Sequence, residues 1–492
     1  MAKNTVVAVT AALMASVSSQ ALSQGHGGVT VNVLTFTGPV ISEPLQRRAP
    51  DFEAMTGADV NVITVPFADL YSKILTDFAT GTNSIDAIVF PPQWLVDFVE
   101  PGFLMPIDDM IANDPDIAWD EIGAFFRDFS ASFGGSTYTV PLDGDFHMVY
   151  YRKDLLEAAG MEPPATWDEY LEVAEHFHGQ DLNDDGTADY GSCVTMKRNA
   201  QSYWMIYSVA APMLQYEGTQ QGVFFDRETM EPLVRNPGMR RAMEIYRSLV
   251  DLGPPDQLNH DIGDARNTFL TGRCALIMDW GDTGALAIDP ETSQVIDRVG
   301  AIITPGSREV YDRDAGEMVE CTPDICPHAE DGINHAPFSA FGGWSGAISA
   351  AADPDVQQAA YDFISYMTAP AQSDIDVTIG ITGFNPYRSS HFEQLETWTD
   401  AGMSEEFARS YLGAIRNSLE NPNMVLDLRI PFNQRYQQTV LDTVIHRMAS
   451  GEISIDQAMD TLHEGWTEIT EEVGVDTQLE AYKASLGIDA RL

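Results

Sequence analysis

Apolar and polar positions alternate along 29–36, and the same period of two returns at 60–65. Segments 44–56 and 67–80 instead space their apolar residues at helical intervals. A third apolar run, 85–90, is nearly continuous, which predicts a strand buried on both faces. The order strand–helix–strand–helix–strand predicts an α/β unit whose parallel sheet is covered by helices. Ligands of such sheets sit beyond the carboxyl ends of the strands. Phe36 and Thr37 occupy one such end, and Gln93 and Trp94 another.

The segment from Tyr138 to Asp154 reads as two short apolar strands interrupted by an acidic glycine turn, with a helix following from Leu155. Asp143 and Asp145 are spaced so that, in an extended chain, both carboxylates point the same way. Such a pair suits hydroxyl or ammonium donors. The next stretch, to about residue 273, reads as largely helical, with helices at 167–177, 200–213 and 238–252. A glycine stop at Gly272 then precedes a short strand ending at Asp279 and Trp280, both candidate ligand contacts. Residues 283–350 return to strands and loops, and the polar, cysteine-bearing 308–334 reads as an insertion. Gly342, Gly343 and Trp344 open a glycine-rich strand, 355–367 is an amphipathic helix capped by Asp353 and Pro354, and the remainder looks helical.

Composition changes the picture in three ways. The 492 residues hold 74 acidic and 27 basic side chains, a formal net charge of −47. That excludes nucleic acid and anionic membrane as partners and reads as an acidic surface suited to high salt. Lys3, the apolar run 6–17 and the pattern Ala21-Leu22-Ser23 read as a secretory signal, with cleavage after Ser23 or after Ala21. Export permits disulfides among Cys193, Cys274, Cys321 and Cys326. Three pairings are open; the close spacing favours Cys321 with Cys326 as a small loop, leaving Cys193 with Cys274.

Asp181, Asn183, Asp185 and Asp189 stand at positions 1, 3, 5 and 9 of an EF-hand-like loop, with Gly186 at position 6 and Thr187 at position 7. Position 12 is Ser192 rather than Glu, so calcium and an ordinary Asx-rich turn are both open readings. No Gly-x-Ser-x-Gly or His-Glu-x-x-His motif occurs. A secreted glycosidase using paired carboxylates is the enzyme reading, and a calcium-stabilised adhesion protein the structural one.

Several blocks together resemble the extracellular solute-binding proteins of ABC importers, the sugar-binding group. They are Tyr138-Thr139-Val140-Pro141 with Tyr150-Tyr151-Arg152-Lys153-Asp154-Leu155, then Pro163-Pro164-Ala165-Thr166-Trp167-Asp168-Glu169. Phe269 to Met278 with Trp280 follows, then Gly342-Gly343 with Ala347-Ile348, and finally Thr368-Ala369-Pro370. The resemblance implies a two-lobed, type II periplasmic binding fold with three hinge crossings, near 141–150, 275–280 and 349–355. After the signal segment 1–23, it implies a first lobe of 24–141 plus 281–350, and a second of 142–280 plus 351–492.

Asp145 stands where sugar-binding relatives carry an acidic ligand contact, with Asp143 beside it. Trp94, Trp204, Trp280 and Trp344 could stack on a sugar or clasp a cation; Gly343 would let backbone approach closely. Tyr387 and Arg388 lie in a loop that could reach hydroxyls, or Arg388 could pair with Asp143 or Asp145. The expected function is a monomeric periplasmic receptor that passes a sugar or polyol to ABC permease subunits. It requires no cofactor; a structural calcium is the candidate ion, and zinc near Cys321 and Cys326 is the weaker reading because His328 and His335 lack a finger-like spacing. A cationic or zwitterionic compatible solute is the alternative ligand.

Overall fold

The computed structural model describes residues 25–38, 40–340 and 342–488; the expected signal segment lies outside them. Nine strands form two main sheets: β1 (Thr30–Phe36), β2 (Asp59–Val65), β3 (Ala87–Phe90), β4 (Thr139–Pro141), β5 (His147–Arg152), β6 (Tyr190–Val194), β7 (Cys274–Trp280), β8 (Val299–Ile303) and β9 (Ser345–Ile348).

The first sheet has the order β2-β1-β3-β9-β4. β1 pairs in parallel with β2, from Thr30 opposite Asp59 to Phe36 opposite Val65, and β3 joins on the other side, also parallel. This is the expected arrangement, and β3 is buried throughout. Antiparallel β9 then links β3 to β4. Helices Ser42–Thr56 and Phe67–Thr80 follow β1 and β2, each ending at a left-handed glycine, Gly57 and Gly81.

The second sheet has the order β8-β5-β7-β6. β5 is antiparallel to β7 and β8, and β6 runs parallel to β7. β6 falls inside the stretch read as helical. It is five residues long, and Gly191 lies against the Ala174 carbonyl, where a Cβ would come within 2.0 Å. Cys193 on β6 is bonded to Cys274 on β7, and Cys321 to Cys326 in the insertion. That insertion is a hairpin of Glu309–Asp312 with Glu317–Glu320.

Sheet membership divides the chain differently from the expected lobes. β8, placed by sequence in the first lobe, hydrogen-bonds to β5 in the second sheet. Helix Pro354–Thr368, placed in the second lobe, packs on β1, β4 and β9 of the first. Gly346 makes this possible, because a Cβ there would meet Ile364 at 2.6 Å. The helix carries Pro354 at its start, as expected, but the Asp353 side chain makes no cap bond.

The first crossing between lobes is the expected one, 142–146, between β4 and β5. The other two differ. One is 342–344, leading into β9. The last lies between the short helix Gly380–Thr382, which touches helix Ser42–Thr56 of the first lobe and residues 283–286 after β7, and helix Glu405–Leu419, which packs on β8. Residues 275–280 lie inside β7 instead, and 349–355 joins β9 to its covering helix. Periodicity locates elements, but it does not say which sheet an element joins.

Candidate functional site

A cavity of about 570 Å³ lies between the lobes. Phe36 and Thr37, at the end of β1, and Phe67, at the start of the helix after β2, form part of its first-lobe wall. Trp344 joins them because β9 runs antiparallel, so its first residues lie beside the last of β3. The Phe36 and Trp344 rings stack at 4.7 Å. The second lobe contributes Gln201, Trp204, Arg266 and Trp280.

Helix Ser202–Leu214 is buried along its whole length, which fixes Trp204 at its first turn. Trp204 meets Trp280 edge to face, centroids 5.6 Å apart, and donates from Nε1 to Asp427 at 2.8 Å. Trp280 Nε1 donates to Gln201 Oε1 at 2.9 Å. Phe67 closes the box across the cleft, with its ring 6.4 Å from Trp204.

The three crossings meet at the cavity floor. Asn385 donates its backbone N–H to Asp143 Oδ1 at 2.6 Å, and its side-chain amide to Asp143 Oδ1 and Asp145 Oδ1, both at 2.9 Å. Ser339 Oγ donates to the Asp145 carbonyl, and Leu142 N to the Trp344 carbonyl. Gly343 has φ of 84°, and a Cβ there would meet the Asp143 carbonyl at 2.0 Å, so only glycine lets these two crossings touch. Burial pushes both carboxyls above the usual carboxylate range, and Asp145 further because Asp143 faces it. Asp145 lines the cavity, and no protein N–H or O–H donates to its Oδ2.

Six expected contacts therefore line one cavity: Phe36, Thr37, Asp145, Trp204, Trp280 and Trp344. The other seven lie outside its lining. Asp143 and Gly343 are in the hinge, and Asp143 is fully buried. Trp94 stands behind the wall, against Phe67 and Tyr71. Gln93, with its amide turned to donate, bonds Asp427 at 2.9 Å.

Asp279 binds the buried Arg266 guanidinium, which also grips Asp282. Burial alone would lower the Arg266 pKa, but the two aspartates outweigh it and hold the cation firmly charged. Tyr387 is tied to Thr368, and Arg388 donates to the Ile117 carbonyl and approaches Glu121 at 3.5 Å rather than pairing with Asp143 or Asp145. Both were drawn to the site by their loop, which passes the hinge at Asn385 two residues earlier.

Sequence reading missed Phe67, Arg266, Asp282 and Asn385. The strand-end rule that found Phe36 also covers Phe67, which follows β2. Nothing local marks Asn385, because its role comes from a turn more than two hundred residues away in the chain.

In the Asp181 loop, Asp181 accepts the N–H groups of Asp185 and Gly186, Asn183 that of Asp185, and Asp185 that of Thr187. Asp189 is buried and accepts from Leu182 N and Arg273 Nε, both within 3 Å. Ser192 is bonded to Tyr170 in the core. Among the described residues, no three acidic, histidine or cysteine side chains gather as a metal-binding group.

Two α/β lobes joined by three chain crossings, with an aromatic cleft at the joint, define a class of binding protein that closes on its ligand. The chain belongs to the bacterial extracellular solute-binding protein family, whose model matches residues 38–374. This is a family of receptors, not of enzymes.

A Brucella abortus chain named only as a binding protein is 29% identical over 282 residues, covering 54% of this chain and 62% of that one. The chain thus spans less than two thirds of that curated relative's length. A probable amino-acid ABC transporter periplasmic-binding protein of Sinorhizobium fredii is 23% identical, covering 77% of each chain. The mannitol-binding protein of Pseudomonas aeruginosa is 27% identical, covering 50% of this chain and 53% of that one. Among solved structures, an Agrobacterium radiobacter ABC transporter solute-binding protein in complex with ribitol superposes with a TM-score of 0.73 at 20% identity, covering 91% of this chain and 100% of that one.

Proposed function

We propose that this chain is a periplasmic receptor that captures a polyol or small sugar in the interlobe cleft and delivers it to the permease of an ABC importer. The observation that carries the reading is the interlobe cavity itself, where the Asp145 carboxyl lies among aromatic rings from both lobes. Polyhydroxyl solutes match that pairing. Their C–H faces lie on aromatic rings, and their hydroxyls donate to a carboxyl. The mannitol- and ribitol-binding relatives support the same ligand class. The positively charged, apolar start of the sequence supports export.

Phe36, Thr37, Asp145, Trp204, Trp280 and Trp344 are the proposed ligand contacts, and the protein acts as a monomer. A calcium ion in the Asp181 loop is a separate proposal, limited to Asp181, Asn183 and Asp185, because Asp189 is committed to Arg273. A thermal-shift screen over ribitol, mannitol, maltose and glycine betaine tests the ligand class. Ribitol or mannitol should raise Tm by several degrees, since a ligand bound only by the folded state stabilises it. A shift with betaine alone would replace the polyol reading.

A further inference from the structure

The acidic pair and its partner Asn385 have more order than a ligand contact requires. Asp143 and Asp145 belong to the first crossing and Asn385 to the last, and one side-chain amide serves both carboxyls. The two carboxyls each lie 2.9 Å from the same Asn385 nitrogen and are almost wholly buried. Three acceptor atoms here receive no protein donor: Asp143 Oδ2, Asp145 Oδ2 and Asn385 Oδ1. Asn385 Oδ1 is pressed toward Gly281, where a Cβ would come within 2.5 Å. Two buried carboxylates in contact cannot both ionise cheaply.

The other charged or titratable groups facing the pair are Asp282, Arg266 and the Tyr411 phenol. Arg266 is already held by Asp279 and Asp282; it draws the Asp145 pKa down, but burial and the facing carboxyls outweigh it.

We propose that Asp143 and Asp145 share one proton, and that Asn385 is the positioning residue that holds this protonated pair across the hinge and aims Asp145 at the ligand. The ligand half of the proposal rests on the cleft being the polyol site. The hinge half does not. The shared proton removes one negative charge from the point where the three crossings meet. A ligand hydroxyl in the cleft would meet Asp145, and that contact ties ligand occupancy to the crossing held by Asn385.

The sign of the pH effect follows from proton counting. A carboxyl whose pKa is raised by folding binds more protons folded than unfolded, so its contribution to stability falls as pH rises. Thermal unfolding of the full chain, followed between about pH 5 and pH 9, tests this with Asp143→Asn. That variant is isosteric, can still accept from Asn385, and needs no shared proton. The stability of Asp143→Asn relative to the unsubstituted chain should rise with pH; curves that stay parallel would overturn the shared proton.

The second arm titrates ribitol into Asn385→Ala and the unsubstituted chain at both ends of that range. Affinity should fall at least about tenfold on losing Asn385, with a changed pH profile, in line with loss of a hydrogen bond to a charged group. Unchanged affinity and profile would overturn the positioning role. Should Asn385→Ala fail to fold, Asn385→Ser serves for the same comparison. If the unsubstituted chain binds neither ribitol nor mannitol while Asp143→Asn shows the stability difference, the cleft reading fails and the shared proton stands.

Discussion

Asp145 and Trp344 differ in what they would contribute to binding. Asp145 offers one directed acceptor in a dry setting, where hydrogen bonds to charged or strongly polar groups are worth about 1.5–3 kcal/mol. Asp145→Ala should therefore weaken ribitol binding roughly 10- to 100-fold with little loss of secondary structure, read by tryptophan fluorescence titration and circular dichroism. Unchanged affinity would remove Asp145 from the site. Asp143, two residues away, was equally eligible on sequence. The two separate because residues 142–146 form no strand, so the alternation that would have aligned their carboxyls does not apply. Their relation is set by Asn385 instead. The tryptophans were legible as a set because each stands at or near an element end. Their sorting into cavity wall and buried support was not, since that depends on rings such as Phe67, placed between Trp94 and the cleft.

At the scale of elements, structure follows sequence wherever one local rule decides the outcome. Helix Trp167–Phe177 begins at a capping box of Thr166 and Glu169, and β3 is as apolar and buried as its composition implies. β6 was missed because a five-residue strand with a glycine in it carries no period, and its identity comes from pairing with β7 and the Cys193–Cys274 bond. The loop leading into β6 carries the calcium proposal. Its oxygens already hold the backbone in Asx turns, so the ion would add to a turn that is formed without it. Chelation should lower Tm by a few degrees if calcium is resident, consistent with the loss of a ligand that binds only the folded state. No change on chelation, with no calcium found by elemental analysis, would remove the ion from the account.

At the scale of the whole molecule, the parallel β-α-β unit of the first lobe was legible, and the resemblance supplied the second lobe and the hinge. The lobe boundaries were not legible, because β8 and helix Pro354–Thr368 are each assigned by long-range packing alone. The arrangement that results brings three chain segments, far apart in sequence, to one buried acidic point beneath an aromatic cleft. Closing two lobes around a solute orders the hinge and desolvates the ligand, so affinity reflects how well the rings and Asp145 repay that loss.

Isothermal titration calorimetry with ribitol and with mannitol tests this most directly, comparing the unsubstituted chain with Trp344→Ala. At least one of these polyols should bind saturably, one to one. Binding should be weaker by about 2 kcal/mol, roughly 30-fold, once the Trp344 ring is removed. Absence of binding to both polyols, or equal affinity in the two proteins, would contradict this.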